Sequence, residues 1–147
     1  MPDLNVWLAL SWVNHRHSAT AWEWFSGVRR DNFYFCRITQ LGLLRLLTTA
    51  EIMGSEVLTV GGAWKIYDRW LEDSRVAIRH EPVNLNTSFR ATMQPLFGQV
   101  APKTIVDCYL LAASQTMGTT LVTFDRALAA AGRKSEQPVL LLKAGTG

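Results

Sequence analysis

Three aspartates, Asp3, Asp107 and Asp125, stand where helical segments begin or strand-like segments end, and a glutamine, Gln40, occupies a comparable place. Asp3 precedes a helical stretch over roughly 4–11, and Asp107 lies in the first turn of TIVDCYLLAASQTM. Asp125 ends TLVTF and opens DRALAAAG, while Gln40 is near the start of the helix that follows FYFCRI. Carboxylates brought together repel, which raises a pKa or opens the site unless a cation joins them. Oxygen-only ligation suits Mg2+ or Mn2+, ions that also bind phosphate oxygens. The chemistry open to such a cluster is hydrolysis of a phosphodiester bond by an oriented water, without a covalent enzyme intermediate. Each aspartate also has a plainer use. Thr104-x-x-Asp107 has the spacing of a capping box, and Asp3 and Asp125 fit helix N-caps. What favours a site is the coincidence of three acids at strand-to-helix edges.

Those edges come from an alternation of strands and helices. Only Met1 and Pro2 stand before Asp3, so the first strand is very short. A second helix opens at His17 or Ser18 and runs to about Arg29, with Ala21, Trp22, Phe25 and Val28 on one face. FYFCRI at 33–38 has the aromatic and β-branched content of a buried strand, and TQLGLLRLLT restarts a helical pattern at Thr39. Further helices are predicted over about 59–72 and 86–96, with a short strand at 75–78 between them. After a Gly98 to Pro102 loop come the helix from Thr104, the strand at 120–124, a short helix ended by Gly132, and a last strand PVLLL. Alternating β and α segments, apolar throughout where best defined, predict an α/β/α sandwich with a central, mostly parallel sheet. In such a sheet the carboxyl ends of the strands form one edge, the usual place for a ligand.

The totals agree with one domain over residues 1–147, with Ala-Gly-Thr-Gly at the end as the plausible loose segment. A hydrophobic content of 48% with six Trp and six Phe excludes global disorder. The net charge is +3, carried mainly by eleven arginines against four lysines, a balance compatible with phosphate contacts but equally with an ordinary solvated surface. Cys36 and Cys108 have no CxxC partner and lie in apolar stretches, so they read as buried thiols. The apolar start carries no basic leader and is too short to span a bilayer, so neither export nor a membrane is expected and a reducing cytoplasm is the default.

At these same residues the chain resembles the PIN-domain family, and within it the VapC-type toxins of bacterial and archaeal toxin-antitoxin pairs. The resemblance runs through DLNVWLAL at 3–10, NHRH at 14–17 followed by AWEWF, ITQLGLLRLLT at 38–48, IVDCYLLAAS at 105–114 and LVTFDRAL at 121–128. It implies a PIN-like fold and an RNA endonuclease whose Mg2+ or Mn2+ is held by Asp3, Asp107 and Asp125. It also implies inhibition by a small VapB-like antitoxin and assembly as a homodimer. Asn5 matches a polar position supporting the first acid, Thr39 a hydroxyl beside the site and Thr123 the end of the TFD strand. Arg126 is either a phosphate contact or a surface arginine. The chain departs from the family pattern at Gln40, where many members carry glutamate; an amide can ligate through oxygen but brings no charge, which weakens the expectation of a second metal.

Other chemistries fit less well. An aspartate-nucleophile phosphatase needs a D-x-D arrangement, and the second acid is replaced here by Asn5. A catalytically weak or inactive PIN-fold module that binds RNA or protein is the alternative that Gln40 supports. His15 and His17 are two apart and do not share a helical face, so they are expected in a loop near RNA rather than on a metal. The tryptophans, concentrated in the N-terminal half, are expected in the core or in a groove for an antitoxin helix.

Overall fold

The computed structural model describes residues 1–101 and 103–143; the segment expected to be loose, Ala144 to Gly147, lies outside them, as does Pro102. Its elements run α1 (Leu4–Ser11), α2 (Ser18–Gly27), β1 (Phe33–Phe35), α3 (Arg37–Leu47), α4 (Ala50–Met53), α5 (Val60–Glu72), β2 (Val76–Ile78), α6 (Leu85–Met93), α7 (Thr104–Thr116), β3 (Leu121–Thr123), α8 (Arg126–Lys134) and β4 (Val139–Leu141). Among the described residues every strand pairing is parallel: β1 with β2, β3 with β4, and an isolated bridge from Pro2 to Val122. The expected α/β architecture is therefore present, but the ladders are short, with two pairs of three-residue strands in place of one long sheet.

Successive strand residues point to opposite faces, and neighbouring residues of β3 accordingly enter two different cores. Val122 packs with Trp7, Phe35, Leu43, Tyr67 and Trp70, from α1, β1, α3 and α5. Leu121 packs with Leu110, Leu111 and Leu128, from α7 and α8. The first core is aromatic. Trp7 is fully buried and stacks on Phe35 at 3.7 Å, with Trp70 edge-on to it at 5.4 Å. Rings of this size bury large apolar areas in few residues, which lets strands of three residues anchor the fold. Arg75 closes the rim, its guanidinium 4.4 Å from the Phe25 ring centroid and paired with Asp73 at 2.7 Å. Among the described residues no helix is long and apolar enough to cross a membrane.

Three boundaries differ from the sequence expectation. FYFCRI stops being a strand at Phe35, because Cys36 takes an extended N-cap conformation and the Thr39 hydroxyl accepts its N–H at 3.1 Å. That reciprocal cap starts α3 at Arg37, two residues before the expected Thr39, and outweighs the β propensity of the segment. The predicted helix over 86–96 divides into α6 and a 3-10 turn, Gln94–Leu96, where Pro95 removes a backbone donor. Gly132 does not end its helix; α8 continues to Lys134, and a Cβ at Gly132 would collide with Val139 Cγ2. Its missing side chain serves close packing of α8 on β4.

Candidate metal centre

Asp3 reaches the carboxyl edge of the strands through the bridge beside β3. Its N–H donates to Val122 O at 2.8 Å, while Val122 N–H donates to Met1 O at 3.0 Å. The expected first strand is thus reduced to this bridge, and the chain turns at once into α1 with Asp3 as N-cap. One strand over, β3 ends at Thr123 and Asp125 caps α8, its Oδ1 accepting from Ala127 N at 2.7 Å and Leu128 N at 3.1 Å. The capping uses foreseen for Asp3 and Asp125 are therefore real, and they hold the two acids at one edge.

Thr123 joins them. Its fully buried hydroxyl donates to Asp3 Oδ2 at 2.8 Å and accepts from Asn5 Nδ2 at 3.2 Å and from Asp125 N at 3.0 Å. One donor and two acceptor sites are all that a hydroxyl has, so its capacity is filled. The Asn5 amide oxygen accepts from Phe124 N at 3.2 Å, completing a link between α1 and the turn after β3. Asp3 is only 8% exposed, with Oδ1 also accepting from Leu4 N at 2.6 Å.

Asp107 approaches from the other side. It lies in the first turn of α7, but the capping box does not form: the Thr104 hydroxyl donates to Ala101 O at 2.9 Å. Among the described residues the Asp107 carboxylate accepts no hydrogen bond. It lines a cavity of about 500 Å³ together with Asp3, Asn5, Thr39, His15 and Arg45, walled by leucines of α1 and α3.

Electrostatics tie the acids into one field. Burial pushes the Asp107 carboxyl up to about 6, with the charges of Asp125 and then Asp3 adding to it. Burial raises Asp3 as well, opposed by its bonds from Thr123 and Leu4 and reinforced by Asp125. Desolvation with like charges nearby is the condition a divalent cation relieves. The donors are all oxygen, which fits Mg2+ or Mn2+. Among the described residues no three His, Cys, Asp or Glu side chains stand close enough to cage an ion alone. An open arrangement of this kind suits an ion that keeps part of its water shell, as Mg2+ does.

The remaining candidates divide. Thr39 lines the cavity, but its hydroxyl is engaged by Cys36. Gln40 is 4% exposed and does not line the cavity; its amide oxygen accepts from Arg37, and it borders Tyr67. Arg126 is exposed on α8, outside the cavity lining. Sequence reasoning did not single out Arg45, although Ile38, Leu41, Gly42, Arg45 and Leu46 follow helical spacing and share the face that lines the cavity.

Comparison with known proteins adds an independent line. The family model of the PIN domain matches residues 1–134. Ribonuclease VapC41 of Mycobacterium tuberculosis is 38% identical over 130 residues, spanning 85% of this chain and 88% of that protein. Ribonuclease VapC38 of the same organism is 28% identical over 141 residues, 95% of each chain, and Ribonuclease VapC39 is 28% identical over 134 residues.

Proposed function

The chain belongs to the PIN-domain family, and from that premise we propose that it is a metal-dependent endoribonuclease, the toxin of a toxin-antitoxin pair, acting in the cytoplasm. The observation that supports this is that Asp3 and Asp107 line one cavity, with Asp125 beside it on the Thr123 hub and near enough for its charge to help burial push Asp107 up to about 6. Asp3, Asp107 and Asp125 would hold the Mg2+ or Mn2+. When bound, the cation supplies activation of water and polarisation of a phosphate oxygen. The residues of the chain do the rest. Thr123 and Asn5 fix Asp3 against rotation, the N-terminus of α8 fixes Asp125, and Asp107, whose carboxylate accepts no bond among the described residues, would offer its oxygens to the ion. Thr39 supports the site by holding the start of α3.

The relatives are ribonucleases by name, which supports RNA as substrate. A groove lined by Leu10, Ser11, Trp22, Ile66, Arg69 and Trp70 supports docking of a VapB-like antitoxin helix, since Trp22 is 43% exposed beside an otherwise buried aromatic core. Assembly as a homodimer belongs to the same proposal, as does a phosphate contact for Arg126.

The test is incubation of purified, antitoxin-free protein with total RNA in the presence of Mg2+, Mn2+ or chelator, followed by mapping of the cut ends. Metal-dependent internal cleavage, lost in Asp107→Asn with the fold intact, is expected. Cleavage indifferent to chelator, or equal in the variant, would contradict the mechanism. No cleavage under any condition would favour the inactive binding module.

A further inference from the structure

The cavity that holds Asp3 and Asp107 extends to Arg45 on α3 and to His15 in the loop between α1 and α2. Its uncharged polar groups near the acids are spent within the fold: Asn5 on Thr123 and Phe124, Thr39 on Cys36. His15 and Arg45 are not. The His15 Nδ1 accepts the backbone N–H of His17 at 3.2 Å, so a neutral ring carries its proton on Nε2 and presents a donor there. Burial, assisted by His17 and Arg16, holds the ring below the usual histidine range and so keeps it neutral. The Arg45 guanidinium has neither a hydrogen bond nor an ion pair among the described residues, and its side chain is exposed.

The loop bearing His15 is fastened in place. Trp12 Nε1 and Asn14 Nδ2 donate to the two oxygens of Glu56 at 2.7 and 2.8 Å, and the Trp12 ring stands edge-on to His15 at 5.7 Å. A ring held this way is pre-ordered for binding, which lowers the entropy cost of docking a ligand.

An RNA strand lying across three acids brings further negative charge. A cation among the acids offsets one phosphate; the neighbouring phosphates need donors elsewhere in the cleft, and walls of Leu8, Leu41 and Leu46 provide none. We propose that Arg45 and His15 bind the RNA phosphates next to the cut bond, Arg45 as a fixed positive charge and His15 through its Nε2–H. This rests on the ribonuclease reading and adds the substrate-gripping end of the same cleft; Glu56 is a positioning residue acting through Trp12 and Asn14.

The test is cleavage of a short single-stranded RNA by wild type, Arg45→Ala, Arg45→Lys, His15→Ala and His15→Gln, with Mn2+ held constant and NaCl varied. Arg45→Ala is expected to raise KM about tenfold, the size of one charge-assisted hydrogen bond, with kcat little changed. The slope of log(kcat/KM) against log salt should shrink by about 0.7, as expected when one fewer phosphate of a single strand is neutralised, and Arg45→Lys should keep the wild-type slope. His15→Ala should raise KM without changing the slope, and His15→Gln, which keeps an N–H, should recover part of the loss. An active wild type whose salt slope and KM are unmoved by Arg45→Ala, or a His15→Gln no better than His15→Ala, overturns the inference. A wild type that cleaves no RNA removes the ribonuclease reading and this one with it. Thermal melting of each variant separates loss of grip from loss of fold, and Arg45→Gln replaces any Arg45→Ala that melts early.

Discussion

The two sides of the acidic cleft are built on opposite principles. On one side Asp3 and Asp125 are caps of α1 and α8, joined through a buried Thr123 whose hydroxyl is fully occupied. On the other, Asp107 sits on α7 with no donor to it among the described residues and a carboxyl pushed up to about 6. On the first side the atoms proposed to hold the metal also hold the fold together. The second carries a charge that suits the first turn of α7 but that burial and its acidic neighbours disfavour, and a group whose ionised form costs stability is a candidate for function. The contrast also explains why a capping use for Asp3 and Asp125 never argued against a metal role: each accepts two bonds, and a carboxylate has about four acceptor positions.

The most drastic way to break the contrast is to neutralise one acid on each side. Asp107→Asn should reduce metal-dependent RNA cleavage by on the order of a hundredfold or more while leaving the metal-free protein as stable as wild type or more so. Asp3→Asn should cost comparable activity and also lower the melting temperature, because both carboxylate oxygens accept bonds and the amide nitrogen would face one of those donors, Leu4 N–H or Thr123 O–H. Equal melting behaviour of the two variants would erase the distinction between the sides.

Thr123 sharpens the picture at the next level. Thr123→Val keeps the shape but strands Asp3, Asn5 and the Asp125 N–H, at a cost of about 1–3 kcal/mol measured by denaturant unfolding. Thr123→Ser should retain most of that stability. A valine variant as stable as wild type would mean that the hub is ornamental.

A pH effect should be smaller and largest on the Asp107 side, with Asp3, also raised by burial, acting in the same direction. The folded Asp107 pKa of about 6 lies above the ordinary carboxyl value of 3.8, so the folded state binds the proton more tightly than the unfolded state. Metal-free protein should therefore lose stability as pH rises from about 4 through about 6, and remain at that lower level above it, by about 1 kcal/mol once solvent screening is allowed for. Differential melting between wild type and Asp107→Asn isolates this, and added Mn2+ should abolish it by binding the folded state. Least of all is expected from Gln40→Glu. Its side chain faces Arg37 and Tyr67 rather than the cavity, so cleavage should change little; a marked rise would show that the chain swings toward the metal.

Much of the site was legible because it is local. Asp3, Asp107 and Asp125 each announce themselves at a helix start, and the strong periodicity of α5 and the long apolar run of α7 reproduce their spans closely. What sequence could not supply was long-range. That Thr123 bonds Asp3 and that Asn5 spans from α1 to the turn after β3 depends on residues nearly the whole chain apart. Strand limits are hidden from sequence where a side chain intervenes, as with Thr39 capping at Cys36, and the role of Gly132 is set by Val139 across a gap in sequence. Arg45 was hidden in a leucine-rich stretch, where it looks like an interruption of an apolar run rather than one position on a cavity-lining stripe.

Calorimetric titration of Mn2+ into antitoxin-free protein, repeated with Asp3→Asn, Asp107→Asn and Asp125→Asn, addresses the shared centre most directly. Saturable binding to wild type, weakened by each single substitution, is expected. Mn2+ affinity unchanged by all three substitutions in folded protein would contradict a shared centre.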